Sequence, residues 1–304
     1  MATHLPKHTT MSPHLTLLGL VLAAGLATAL KKGEVLDMTY KYDNVTTLGW
    51  PGSTPFELTI LQRGPTPSTP WLEGNKFCTA EHFGTHMDAP AHAAKGKWRV
   101  DQIPARNLVG PAVRVDVSAK AAANADYQLS PADLTDWVSA NGPIPDGALL
   151  FVYTGYGAHW TNRLAYYGYA GEDDYLDADG NSLLHFPGIS EAAATWLVSN
   201  TQVSGVGIDS ASLESGQSQV DFAVHEVLLK ENIFGMENVA NVDLLPTTGA
   251  TAYALPMKIG DGSGGPVRIV AVLTENADGG SNRLRVDYAA LLVVGISIIM
   301  KAIL

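Results

Sequence analysis

The chain has 304 residues, of which 46% are hydrophobic and 16% charged, and its formal charge is −11 at pH 7. These proportions indicate an ordinary globular protein and exclude a disordered or fibrous chain. The acidic balance argues against a nucleic-acid partner, because phosphate backbones are bound by clustered basic side chains, and the single Cys78 excludes an internal disulfide.

The N-terminus predicts a secretory signal. The stretch "HLTLLGLVLAAGLATAL" at residues 14–30 is apolar, follows Lys7, and ends in the small residues Ala27-Thr28-Ala29. This is the form of a signal peptide that is removed from the mature protein, so residues 1–29 are interpreted in this way and the protein is expected to be secreted. A buried helix is the alternative. The sequon that begins at Asn44 is compatible with the secretory route.

The densest chemical motif is "EHFGTHMDAPAH" at residues 81–92, which holds three of the nine histidines. Gly84 and Pro90 argue against a long helix here, so we expect a loop or one tight turn. Two imidazoles, from His82 and His86, together with the carboxylate of Asp88, form a ligand set suited to Zn²⁺ or Mn²⁺ with positions left open for water. Histidines that only make hydrogen bonds are the alternative.

His92 lies six residues beyond His86 and past the proline. Its predicted role is that of a general acid and base beside the metal, because imidazole titrates near neutral pH. Two alternatives stay open: His92 is itself a ligand, or it only orients one.

The rest of residues 31–275 reads as one α/β domain with a mixed sheet and flanking helices. Four apolar, β-branched runs predict strands covered on both faces. They are 112–118, 148–154, 204–209 and 267–273.

Helical patterns separate these runs. Ser130 and Ser190 are predicted N-caps of two helices, each followed by apolar residues at helical spacing. A third helix is predicted over 220–232, with Phe222, Val224, Val227 and Leu228 facing inward.

The C-terminal residues 276–304 predict a processed tail. A stretch of small and polar residues, 276–287, precedes the apolar run "YAALLVVGISIIMKAIL". Small residues, a polar spacer and an apolar end are the arrangement of a GPI-attachment signal, which would tether the mature protein to a membrane. Lys301 weakens this interpretation, and a genuine membrane anchor or a core strand are the alternatives.

The histidine motif resembles the signature of the cyclase-like metal hydrolases, the family of bacterial-type kynurenine formamidases and isatin hydrolases. Seven spaced positions match: His82, Gly84, Thr85, His86, Asp88, Pro90 and His92. Downstream segments resemble the family in the same order: 152–156, 185–190, 205–212, 225–246 and 262–272. The resemblance implies a fold of the swivelling β/α/β type.

The resemblance also implies two further ligands, His225 and Glu237, and in some members a second ion bridged by Asp88. Two departures stand out. Ala93 replaces an aromatic residue found in many relatives, and Glu214 stands where relatives commonly have aspartate. Neither departing residue is expected to touch a metal ligand. Thr85, which matches the family, is expected to hydrogen-bond the carboxylate of a metal ligand.

The function that the resemblance implies is hydrolysis of an aryl formamide by a metal-activated water, with N-formylkynurenine converted to kynurenine and formate in tryptophan catabolism. Opening of a cyclic amide such as isatin is the alternative reaction. An inactive, secreted binding protein of the same fold is a third possibility. The family further implies a homodimer. Trp50 and Trp98 are candidates to stack on an aromatic substrate, and core residues are the alternative.

Overall fold

A computed structural model describes residues 31–219 and 221–275, together with the two-residue strands Ala27–Thr28 and Arg285–Val286. These two short strands pair with each other in antiparallel fashion, in a unit separate from Lys31–Ala277. The predicted signal peptide and C-terminal tail otherwise lie outside the described residues. Within the described part of the chain, no helix has the length and apolar character needed to cross a membrane.

The unit Lys31–Ala277 alternates strands and helices. Its strands are β1 (Val35–Asp37), β2 (Glu57–Thr66), β3 (Thr69–Cys78), β4 (His86–Asp88), β5 (Val109–Asp116), β6 (Gln128–Leu129), β7 (Leu149–Tyr153), β8 (Gly188–Ile189), β9 (Gly205–Ile208), β10 (Phe234–Glu237), β11 (Ala250–Pro256) and β12 (Gly264–Leu273). Its α-helices are α1 (Ser118–Ala123), α2 (Pro131–Asn141), α3 (Arg163–Tyr167), α4 (Glu191–Asn200) and α5 (Ala223–Leu229).

Eight strands form one mixed sheet in the order β11-β5-β7-β9-β10-β4-β12-β1. β11 also pairs with β12, so the sheet closes on itself. Strands β5, β7, β9 and β10 run parallel, and their other neighbours are antiparallel. The predicted α/β domain with a mixed sheet and flanking helices is therefore confirmed.

The main core lies between the parallel strands and helices α2, α4 and α5. Both predicted N-caps are present: Ser130 forms a reciprocal capping box with Asp133, and the Ser190 hydroxyl accepts a hydrogen bond from the backbone N–H of Ala193. The third predicted helix is shorter than expected. It begins at Ala223, because Phe222 adopts a left-handed φ of 49°, which cannot continue a helix.

A buried carboxylate ties two parallel strands together where they end. Asp209 follows β9 and is 2% exposed. It accepts hydrogen bonds from the backbone N–H and hydroxyl of Thr154, at 2.7 and 2.6 Å, and from the backbone N–H of Gly155, at 2.9 Å. Both donor residues follow β7, the strand that pairs with β9. Asp209 therefore fixes the loop at the carboxyl end of β7.

Asp209→Ala is expected to lower the free energy of unfolding by about 2–4 kcal/mol, because it leaves the two buried donors of Thr154, its backbone N–H and its hydroxyl, without this partner. Urea denaturation measures the loss. The matched control is Asp146→Ala, since Asp146 is exposed and its removal should change stability by less than about 0.5 kcal/mol. Equal effects of the two substitutions would contradict the structural role of Asp209.

Candidate metal centre and active site

Strand pairing brings three of the predicted ligands together. The loop or turn expected at residues 82–92 instead contains strand β4, in which His86 and Asp88 are two residues apart and share one face. The antiparallel pairing of β4 with β10 places Glu237 directly opposite His86, and Gly235 opposite Asp88. A Cβ atom at position 235 would lie 2.8 Å from Asp88 Oδ2, so glycine there leaves room for the carboxylate.

His86 is oriented so that its neutral ring presents an unprotonated nitrogen to the two carboxylates. Its Nδ1 lies 3.0 Å from the carbonyl oxygen of Gly84, which can only accept, so Nδ1 carries the hydrogen. In the neutral ring the lone pair is then on Nε2, which lies 3.3 Å from Asp88 Oδ1 and 3.4 Å from Glu237 Oε2.

His225 approaches the same carboxylates from helix α5. Its Nδ1 lies 2.5 Å from Glu214 Oε2, and its backbone N–H donates to Glu214 Oε1 at 2.9 Å. The Nε2 atom therefore faces Asp88 Oδ2 at 3.5 Å and Glu237 Oε1 at 3.3 Å. The expectation that Glu214 touches no ligand is wrong, because both of its oxygens hold His225 in place.

His82 lies on the other side of Asp88, with its Nδ1 atom 2.6 Å from Asp88 Oδ1. Two groups of residues have potential ligand atoms that lie within 4.8 Å of one another, and Asp88 belongs to both. One group is His86, Asp88 and Glu237, and the other is His82, Asp88 and His92. The structure thus brings together all five predicted ligands and His92.

This donor set fits a divalent cation. The buried atoms His86 Nε2 and Asp88 Oδ2 have no hydrogen-bond partner, which is costly unless something positive lies between them. Imidazole nitrogens and carboxylates that converge in this way are the ligands that Zn²⁺ and Mn²⁺ accept.

The electrostatics of the protein alone also favour positive charge at this place. Burial acts to lower the pKa of His86, but the charges of Asp88 and Glu237 outweigh it and raise the pKa to about 9. Burial acts to raise the pKa of Asp88, but the charge of His86 and the close contacts with His225 and His82 hold it well below its usual range.

His92 differs from the other histidines of the site. It ends a 3₁₀ turn, Pro90–His92, and its ring lies 3.9 Å from the ring of His82, centroid to centroid. Within the described chain, no hydrogen bond holds either ring nitrogen of His92, whereas each of the other three rings has a nitrogen bonded to a fixed acceptor. Burial lowers the pKa of His92 to about 4, so the ring is neutral at pH 7 and titrates below the near-neutral range expected from the sequence.

The site opens into a cavity of about 390 Å³ with aromatic walls formed by Trp50, Tyr175 and Phe222. Phe222 also stacks on His225, with ring centroids 4.1 Å apart. Trp50, one of the two stacking candidates, therefore lies beside the site, although it also packs against a core cluster. Trp98, the other stacking candidate, does not line this cavity; its backbone N–H donates to the side chain of Asn232.

Asn238 is a site residue that the sequence did not indicate. Its Nδ2 donates to the Gly84 carbonyl at 2.9 Å, its Oδ1 accepts from the Tyr166 hydroxyl, and its own carbonyl accepts from the Thr85 hydroxyl at 2.7 Å. Asn238 therefore fixes the carbonyl that orients His86. The expectation that Thr85 bonds a ligand carboxylate is wrong, because its hydroxyl hydrogen goes to Asn238.

Comparison with known proteins agrees with this geometry. Residues 36–215 match the family described as putative cyclase. The isatin hydrolase of Roseibium aggregatum is 31% identical over 67% of this chain and 76% of its own length, and a kynurenine formamidase of Salinibacter ruber is 28% identical over 74% and 91%.

Solved structures give the same result. Isatin hydrolase A from Labrenzia aggregata, bound to benzyl benzoate, superposes with a TM-score of 0.69 at 29% identity, over 86% of this chain and all of that one. Sequence and fold thus point to the same relatives, and the chain belongs to the cyclase family as one of its hydrolases.

Proposed function

We propose that this protein is a metal-dependent hydrolase that opens a small, uncharged aromatic cyclic amide of the isatin type. The observation that carries the proposal is the chemistry of the cavity. Among the described residues that line it, none is a lysine or an arginine, and the charged groups are those of the candidate metal centre. Trp50, Tyr175 and Phe222 supply apolar faces on which a flat ring can pack.

This lining favours one of the two reactions considered for the family. N-formylkynurenine carries an α-carboxylate and an α-ammonium group, and burying an unpaired charge is costly. Isatin has no charged group, and it is flatter and smaller. The likeness to isatin hydrolases in sequence and in fold supports the same choice.

The residues of the site have distinct parts in the reaction. His82, His86, Asp88, His225 and Glu237 would hold the ion. A divalent ion supplies a Lewis acid there, which lowers the pKa of water and polarises the carbonyl under attack. The neutral His92 imidazole accepts the proton that the attacking water loses and returns it to the leaving nitrogen, so that the C–N bond breaks without forming a free amide anion.

Two matched substrate pairs test the proposal. The purified protein is loaded with Mn²⁺ or Zn²⁺ and assayed with isatin against its 5-sulfonate, and with formanilide against N-formylkynurenine. Within each pair the type of amide is the same and the charge of the substrate differs, so the effect of charge is measured apart from the type of amide. We expect kcat/KM to be at least about tenfold higher for the uncharged member of each pair, and isatin to be the best of the four substrates.

Other outcomes assign the site differently. A higher kcat/KM for N-formylkynurenine than for isatin would make the protein a formamidase. No turnover of any of the four substrates by metal-loaded protein would favour the inactive binding protein instead.

A further inference from the structure

A serine and a glutamate outside the ligand set are connected to His82. Ser263, just before β12, donates to Glu81 Oε2 through its backbone N–H at 3.0 Å and through its hydroxyl at 2.6 Å. The same hydroxyl oxygen lies 3.0 Å from Nε2 of His82. On the far side of the ring, Nδ1 faces Asp88 Oδ1 at 2.6 Å. A continuous chain of contacts thus runs from Glu81 to Asp88.

Counting hydrogens along this chain shows which tautomer of His82 the pair Glu81 and Ser263 favours when a metal is bound. A hydroxyl has one hydrogen, and a carboxylate oxygen only accepts, so the Ser263 hydrogen goes to Glu81. The Ser263 oxygen then faces Nε2 of His82 as an acceptor, and Nε2 must carry the hydrogen. In the neutral ring this leaves the lone pair on Nδ1, so Nδ1 and Asp88 Oδ1, two acceptors only 2.6 Å apart, are stable together only with a cation between them.

Without an acceptor at position 81, this preference is lost. The Ser263 hydroxyl becomes free to turn and donate to Nε2, and the ring hydrogen then moves to Nδ1. There it donates to Asp88 Oδ1. This one hydrogen bond occupies two of the atoms that would bind the metal, Nδ1 of His82 and Oδ1 of Asp88. The protein would then have to break that bond before either atom binds a metal.

The backbone holds the serine in position. The Ser263 carbonyl accepts from the backbone N–H of Ala89, next to Asp88, at 2.9 Å. A Cβ atom at Gly264 would lie 2.6 Å from Cε1 of His82, so only glycine lets the chain pass this close to the ring. The contact between Ser263 and His82 is therefore built into the start of β12.

We propose that Glu81 and Ser263 are positioning residues that hold His82 in the tautomer whose Nδ1 binds the metal. The inference rests on the proposed metal-dependent function. Groups that orient metal-binding histidines are commonly worth about 10- to 100-fold in metal affinity, and we assign an effect of that size to this pair.

The test measures the affinity of the intact protein for Mn²⁺ and Zn²⁺ by competition with a chromophoric chelator. Glu81→Met removes the acceptor at nearly constant size, and Glu81→Gln removes the charge but keeps an acceptor oxygen. We expect the methionine variant to bind about 10- to 100-fold more weakly, and the glutamine variant to stay within about threefold of the wild type. Equal losses in both variants would show an effect of charge alone and overturn the proposal.

Changes at position 263 give an independent readout. Ser263→Ala should weaken metal binding as Glu81→Met does. The double variant should bind no more weakly than either single variant. Ser263→Thr should keep the affinity of the wild type, because it keeps the hydroxyl. The visible spectrum of the Co²⁺-loaded protein should change in the two weakened variants, since a nitrogen ligand is affected. Additive losses, or an unchanged spectrum, would contradict a relay through His82.

Failure of this inference is distinguishable from failure of the proposed function. A wild-type protein that binds neither ion would refute the metal-dependent hydrolase itself. A wild type that binds metal, with Glu81→Met within about threefold of it, would refute only the role of Glu81 and Ser263. Glu57→Gln, in the exposed strand β2, is the control for a change of surface charge, and urea denaturation shows that each variant is folded.

Discussion

Asp88→Asn is expected to abolish metal retention and to lower kcat/KM by at least about 10³-fold, equivalent to about 4 kcal/mol of transition-state stabilisation. Asp88 is shared by both groups of potential ligand atoms, so its loss affects every arrangement of one or two ions. Its oxygens face nitrogens of His82, His86 and His225 at 2.6, 3.3 and 3.5 Å. An amide keeps the shape of the side chain but not its charge.

Metal content after gel filtration and the rate of isatin hydrolysis are the two measurements. Asp133→Asn is the matched control, because Asp133 is also a buried carboxylate, 7% exposed, but caps helix α2. This control should lose some stability and keep its metal. An Asp88→Asn variant that retains a full complement of metal and activity would refute the ligand assignment.

Half of the sheet could be predicted from the sequence: four of its eight strands correspond to predicted runs, and three of these, β5, β7 and β9, are largely buried on both faces. The fourth, β12, is not covered on both faces as expected, because residues such as Arg268 are exposed. Predicted runs 112–118 and 148–154 correspond to β5 and β7, and their apolar residues form the core against capped helices. The ribbon of β2 and β3 was not predicted. Both of its faces are largely exposed, so its sequence lacks the alternation that a half-buried strand shows.

The site could be predicted only in part, for a physical reason. His82, His86 and Asp88 lie within seven residues, so their local density is visible in the sequence. Glu237 and His225 reach the site through strand pairing and helix packing, which no local pattern encodes, and the resemblance to a family supplied them.

The groups that orient these ligands were not predicted: Asn238 and Ser263 were not singled out, and Glu214 was expected to touch no ligand. Asn238 and Ser263 act by hydrogen bonds to atoms distant in sequence, and Glu214 acts by two bonds to His225, 11 residues away. Residues of these types are common at protein surfaces, and only the folded chain distinguishes them.

His92→Ala is expected to keep its metal and to lower kcat by about 10²- to 10⁴-fold, the usual contribution of a general acid and base. A metal-binding histidine almost always donates its second nitrogen to a fixed acceptor. His82, His86 and His225 each have such a partner, in Ser263, Gly84 and Glu214. His92 has none among the described residues, and its neutral ring borders the cavity, as a proton carrier requires.

Chemical rescue separates this role from a structural one. Added imidazole can enter the space left by His92→Ala and should restore part of kcat, with a pH dependence that follows the added base. His185→Ala is the control, because this half-exposed ring pairs with Asp126 instead of lining the cavity, and the change should leave kcat within about twofold. Loss of metal from His92→Ala would make His92 a ligand, since its ring nitrogens can reach the group formed with His82 and Asp88. Proton transfer would then have to be assigned to another group.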